Sequence, residues 1–207
     1  MSDDRVRQEE SFLFIASRLL YTVASFAVNF SLTMDIFEAI EKRHSYREKY
    51  RNDPVPEEHL RRIVTAGIVA PSGGNGQTTE FVIVNDPKVR DDLAEIMGSI
   101  MCRTAPAIIV CVTEHREIYP GMAFEIEDCS AAVENMLLAI TGLGYASVWL
   151  DGVLRNENRA ARIAQLLGIP ENRTVRVILP VGVPLAPGTR KEKLAFGKRA
   201  WFNSYGE

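Results

Sequence analysis

The longest apolar pattern in the chain runs over 126–143, where Ala131, Ala132, Val133, Met136, Leu137 and Ile140 cover most of a helical circumference and Gly142 and Gly144 close the run. A helix apolar nearly all round has to be buried on several sides, inside one core or between two copies of the chain. Shorter amphipathic patterns predict helices over 35–43, with Ile36, Phe37 and Ile40 on one face, and from 57 to about 69. The second follows a turn at Pro54 and Pro56, has Glu57 and Glu58 in its first turn, and carries Leu60, Ile63, Val64 and Ile68 as its stripe. Asp86 is placed to cap a further helix with Pro87 at its first position, and Leu93, Ile96 and Met97 form its buried face. Another helix is expected over about 158–167, stopped by Gly168. Runs at 81–84, 107–112, 146–150 and 175–183 read as strands. The run 107–112 is apolar enough to be a central strand covered on both faces. Strands alternating with helices predict an α/β or α+β sandwich of one sheet.

Residues 1–33 differ from the rest. A charged start is followed by 12–32, nearly apolar apart from Arg18 and scattered Ser, Thr and Asn. A membrane span needs about 20 predominantly apolar residues, and a central arginine costs roughly 2.5–3.5 kcal/mol on insertion, so a span is weakly supported. Asp3, Asp4, Glu9 and Glu10 outweigh Arg5 and Arg7, unlike the basic start of a secretory signal. Phe12, Ile15, Leu19, Val23, Phe26 and Phe30 recur at helical spacing and could lie along a neighbouring subunit. The abrupt change of composition and the new helix after it favour Met34 as the natural start. The division expected is therefore an N-terminal extension, 1–33, and a single domain, 34–207.

Composition narrows the classes. With 46% hydrophobic and 25% charged residues the chain should fold, and a net charge of −3 with interspersed signs offers no field for nucleic acid. Cys102, Cys111 and Cys129 are odd in number and lack metal-ligand spacing, which fits buried thiols in a reducing cytoplasm. His44, His59 and His115 fall in unrelated contexts, so no metal site is expected.

Arg43, Ser45 and Arg47 alternate, so an extended backbone presents two guanidinium groups and a hydroxyl on one side, the donors a phosphate monoester needs. Alternating cations after a helix also describe ordinary solvated surface. A second cationic cluster, Arg190, Lys191 and Lys193, lies near the other end. The loop 71–77 has three glycines that let backbone approach a ligand, and Ser72, Asn75 and Gln77 offer donors and acceptors to a heterocycle edge. A glycine-rich turn from helix to strand explains it equally well. It is neither a P-loop nor a dinucleotide fingerprint. The run 142–152 ends a helix, forms a strand and turns at Asp151-Gly152, where the Gly152 amide could donate to a ring nitrogen; Trp149 reads as core. No Ser/His/Asp set, carboxylate pair or activated cysteine is visible, so a cofactor would have to supply the chemistry.

In this order, R-x-S-x-R at 43–47, A-P-S-x-x-N-x-Q at 70–77, Glu127-Asp128 opening the long helix, G-Y-x-S-x-W-x-D-G at 144–152 and Pro180-Val181-Gly182 before the basic cluster resemble the nitroreductase family of FMN-dependent oxidoreductases. The resemblance covers residues 34–205. It implies an α+β fold with a central mixed sheet flanked by helices, and an intertwined homodimer with FMN at two interface sites. Arg43 and Ser45 would hold the phosphate and ribityl end with Arg190, Lys191 or Lys193, and Arg47 would lie near the pyrimidine edge. Pro71, Ser72, Gly73 and Asn75 would approach from the other subunit, with Asp151 and Gly152 beside the ring and the Gly152 amide toward flavin N5; His44 and Gln77 would count among the cofactor-binding residues of the same motifs. The implied reaction is hydride transfer from NAD(P)H to the flavin and on to a nitroaromatic, quinone or similar small acceptor, with no dedicated catalytic side chain. Thr78-Thr79 stands where many relatives have Pro-Trp, and the short stretch 118–122 leaves little room for a covering insertion. Two other readings stand beside it: a flavin-binding protein that does not turn over nicotinamide, and a membrane-tethered member of the family.

Overall fold

The computed structural model describes residues 34–206. The readings offered for 1–33, whether extension, subunit contact or anchor, lie outside the described residues. Residues 36–207 form one compact unit. Its helices are α1 (Ile36–Lys42), α2 (Glu57–Ile68), α3 (Pro87–Met97), α4 (Ile100–Thr104), α5 (Glu125–Gly142) and α6 (Arg159–Leu167). Its strands are β1 (Thr79–Val84), β2 (Ala107–Glu114), β3 (Glu117–Tyr119), β4 (Met122–Ala123) and β5 (Arg173–Val181). Among the described residues no helix is long and apolar enough to cross a membrane.

Strand β2 is central, with β1 and β5 antiparallel on either side. Its side chains alternate between two cores because successive residues of a strand face opposite ways. Ile108, Val110 and Val112 pack with Leu93 and Met97 of α3, Ile163 of α6, Tyr46 and Tyr50. Ala107, Ile109 and Cys111 pack with Leu60 and Ile63 of α2 and Cys129, Val133, Met136 and Ile140 of α5. The three cysteines are free and buried, and burial pushes the Cys102 thiol up to about 12. The cap at α3 forms as the sequence indicates, with Asp86 Oδ1 accepting from the Val89 amide at 3.0 Å.

Residues 146–150 depart from expectation, and two other segments have surroundings that the sequence did not show. Ile36, Phe37 and Ile40 of α1 are exposed, Phe37 by 70%, so that face has no cover among the described residues, and Ile68 at the end of α2 is exposed as well. Residues 146–150 do not form a continuous strand. Their backbone changes partners: Ser147 O accepts from the Tyr46 amide, Ala146 exchanges hydrogen bonds with Gly182, and Leu150 exchanges them with Ile178. Among the described residues, one parallel bridge, between Ser45 and Ser147, lies outside the named strands. The glycines of loop 71–77 are occupied by protein. A Cβ on Gly73 would lie 2.3 Å from Phe124 Cγ, one on Gly74 would lie 2.6 Å from Ile118 Cγ2, and one on Gly76 would lie 2.5 Å from Ile118 Cδ1. The hairpin β3–β4, which the sequence reading passed over, therefore seats directly on this loop.

The same loop is tied to α5. Asp128, in the first turn, is buried, where a helix N-terminus favours its charge. Its Oδ1 accepts from the Gly73 amide at 2.8 Å and its Oδ2 from the Thr78 hydroxyl at 2.7 Å. Arg116 donates to Gly76 O, and Ser72 Oγ accepts from the Gln77 amide at 3.1 Å. These contacts hold Asn75 and Gln77 in the left-handed region, at φ 57° and 51°, which a non-glycine residue keeps only when its surroundings over-determine it. Replacing Asp128 by Ala leaves both donors without their carboxylate and is expected to cost about 2–4 kcal/mol of stability. Urea unfolding at fixed protein concentration measures this, with Asp128→Asn expected to lose less. A change below about 0.5 kcal/mol would show that the loop is held by something else.

Candidate functional site

Two cationic segments that are far apart in sequence meet because of Tyr46. The ring is fully buried, and its hydroxyl donates to Lys49 O at 2.6 Å while accepting from the amides of Leu185 and Ala186 at 3.0 and 3.3 Å. Arg51 N donates to Val183 O at 2.8 Å, extending the seam. The chain leaving β5 is thereby laid along residues 46–51, and its continuation returns over the segment after α1. The result is a concavity of about 210 Å³ lined by Arg43, His44, Ser45, Arg47, Thr189, Arg190, Lys191 and Lys193.

Three of the lining groups, Arg43, Arg47 and His44, have a definite setting. Arg43 Nε is 3.1 Å from Glu134 Oε1 on α5. Arg47 turns back on its own segment, with Nη1 donating to Ser45 O at 3.4 Å, and so lies in the cationic concavity. His44 Nδ1 faces Lys42 O at 3.0 Å; a carbonyl only accepts, so that nitrogen carries the proton. The other nitrogen, Nε2, is buried without a partner, pressed against Gly188 so closely that a Cβ there would lie 1.9 Å away. Side chains of one sign gathered in a small cavity repel one another unless an anion enters. The hydroxyl of Ser45 and the Arg and Lys donors suit the oxygens of a phosphate.

A second concavity, about 140 Å³, is lined by Ala70, Pro71, Ser72, Gln77, Thr78 and Asp128 among others, and shares no residue with the first. Gly73 and Asn75 belong to its loop. Asp151 and Gly152 line neither. Asp151 Oδ2 is 3.3 Å from Arg155 Nη2, and Gly152 is exposed with open space where a Cβ would stand. Trp149 packs against the core shared by α2 and α5. One protomer thus brings the two cationic clusters together and keeps the glycine loop apart from them. Sequence reading did not single out Tyr46, Thr189 or Glu134. Tyr46 lies inside the R-x-S-x-R motif, but its partners Leu185 and Ala186 are about 140 residues away, and no local spacing marks Glu134. Among the described residues no group of three His, Cys, Asp or Glu could hold a metal ion.

Comparison with known proteins places these features in a family. Residues 40–104 and 97–183 match the Nitroreductase family. A protein of Methanothermobacter thermautotrophicus, assigned as an NADH dehydrogenase/NAD(P)H nitroreductase, is 38% identical over 160 residues, covering 76% of this chain and 82% of its own. The crystal structure of a protein with the same assignment from Parabacteroides distasonis superposes with a TM-score of 0.71 at 30% identity, over 82% of this chain and 98% of that one. A nitroreductase with bound FMN from Bacteroides fragilis superposes with a TM-score of 0.65 at 27% identity, over 79% and 95%. The chain belongs to the nitroreductase family.

Proposed function

We propose that the protein is an FMN-dependent, cytoplasmic oxidoreductase that takes electrons from NAD(P)H and reduces a small organic acceptor such as a nitroaromatic or quinone. The observation that carries this reading is the cationic concavity at 43–47 and 189–193, in a chain similar to an FMN-bound nitroreductase. When bound, FMN would supply the redox chemistry that carries electrons from the nicotinamide to the acceptor. The protein's own residues bind and orient. Arg43, Ser45, Lys191 and Lys193 hold the phosphate, with Arg190 beside them and His44 lining the same end. Arg47 adds positive charge that favours the anionic reduced ring. Gly152, with open space on its Cβ side, has its amide available to a ring nitrogen, and Asp151 flanks it.

The glycine loop joins this site from a second copy of the chain. Within one protomer Pro71, Ser72, Gly73, Asn75 and Gln77 lie away from the phosphate end, so a site using both is completed by a partner. The uncovered apolar face of α1 and the exposed Leu194, Phe196, Phe202 and Tyr205 of the C-terminal stretch give such a homodimer its surface.

An absorption spectrum of the purified protein, followed anaerobically during addition of NADH and then NADPH, is expected to show flavin bands that bleach with at least one donor. Bands that persist would leave FMN bound but remove the nicotinamide step; a colourless protein that cannot be reconstituted with FMN would remove the reading altogether. Sedimentation should give a dimer, and a stable monomer retaining FMN would remove the composite site. Arg43→Ala should weaken FMN binding by about 1.5–3 kcal/mol through loss of a charge-assisted contact. Unchanged affinity in a fluorescence titration would take Arg43 out of the site.

A further inference from the structure

Arg43 emerges directly from α1. Its amide donates to Ala39 O at 2.9 Å, which fixes the backbone but leaves a long side chain free to point in many directions. A guanidinium that must meet a phosphate as a two-pronged fork gains from being oriented before the anion arrives. The group that orients it comes from another helix. Glu134 stands on an exposed position of α5, and its Oε1 is 3.1 Å from Arg43 Nε. Nε is the one guanidinium nitrogen that is not at the tip, so an ion pair made there restrains the group while leaving both terminal nitrogens to other partners.

The placement of this carboxylate is otherwise unexpected. The concavity that Arg43 lines with Arg47, Arg190, Lys191 and Lys193 takes an anion in the function proposed above, so a negative charge paired with Arg43 opposes the ligand. Two effects compete: repulsion between Glu134 and the phosphate, and the ordering of Arg43. The pair is only partly exposed on the Arg43 side, at 28%, and its partner is about half exposed, at 48%, so solvent screens the longer-range repulsion more than the direct contact. Helix α5 is anchored on both sides of Glu134, by the buried Val133 and by Asn135 Nδ2, which donates to Ala66 O at 3.1 Å. Glu134 is therefore presented from a rigid element, as a positioning group requires.

We propose that Glu134 is a positioning residue for the phosphate end of the site, holding Arg43 by Nε so that its terminal nitrogens are set for the anion. The proposal rests on the FMN reading of the concavity. The test titrates FMN into the full-length apoprotein of wild type, Glu134→Ala, Glu134→Gln, Arg43→Lys and the double variant Arg43→Lys/Glu134→Ala, following flavin fluorescence. Lysine keeps the charge but has no Nε to be held, so binding remains measurable while the positioning contact is gone. Glu134→Ala is expected to raise Kd about three- to fivefold, Glu134→Gln, which keeps an acceptor, by less than about twofold, and Glu134→Ala in the Arg43→Lys background by nothing further. Alanine is the best helix former at this exposed site, so the variant should fold.

An Ala variant that binds FMN as tightly as wild type, or more tightly, would show that repulsion outweighs ordering and would overturn the proposal. Equal losses from Glu134→Ala in the wild-type and Arg43→Lys backgrounds would overturn it too, because the effect would not pass through Arg43. A wild-type chain that takes no FMN would instead overturn the FMN reading and this proposal with it, an outcome distinct from loss at Glu134 alone.

Discussion

A helix that is apolar on nearly every side can sit only where several layers meet, and that requirement on α5 organises the rest of the molecule. Its inner face lies on the β2 side that carries Ala107, Ile109 and Cys111, and α2 closes over the flank through Leu60, Ile63 and Val64. Once α5 is so placed, its polar positions have nowhere to go but outward into the segments that cross it. Asp128 takes the amide of Gly73, Asn135 takes the carbonyl of Ala66, and Glu134 takes Arg43. The hydrophobic demand of one helix thus fixes where three loop or helix-end segments lie.

Tyr46 does for the other side what α5 does for this one. A buried hydroxyl must find partners, and here it finds the carbonyl of Lys49 and the amides of Leu185 and Ala186. Satisfying that one group sews the chain after β5 to the chain after α1. The cationic concavity is a by-product of this seam, since two clusters of like charge have no attraction of their own to draw them together.

Much of this was legible from the sequence where local rules decide. Asp86-Pro87 open α3 as capping rules predict, and the uniform run at 107–112 is the twice-covered central strand. The rules failed where partners are remote. Residues 146–150 have the composition of a strand, yet their hydrogen bonds are divided between Tyr46 on one side and Gly182 and Ile178 on the other. Ile36, Phe37 and Ile40 have the spacing of a core face and are exposed, because periodicity reports that a face wants cover without saying which chain supplies it. The candidate residues in the two motifs could be named from local pattern; Glu134 could not, since only the crossing of α1 and α5 makes it a neighbour of Arg43.

The packing of the β3–β4 hairpin onto Gly74 and Gly76, and of the adjoining Phe124 onto Gly73, couples two stretches about forty residues apart into one mechanical part. Ile118 and Phe124 occupy the volumes that side chains on the loop would need, so neither stretch is free to vary by itself. In evolutionary terms the pair should drift together: a lineage that enlarges the hairpin gains no room over the loop unless the loop is rebuilt at the same time. For anyone reshaping this scaffold, the unit of exchange is hairpin plus loop.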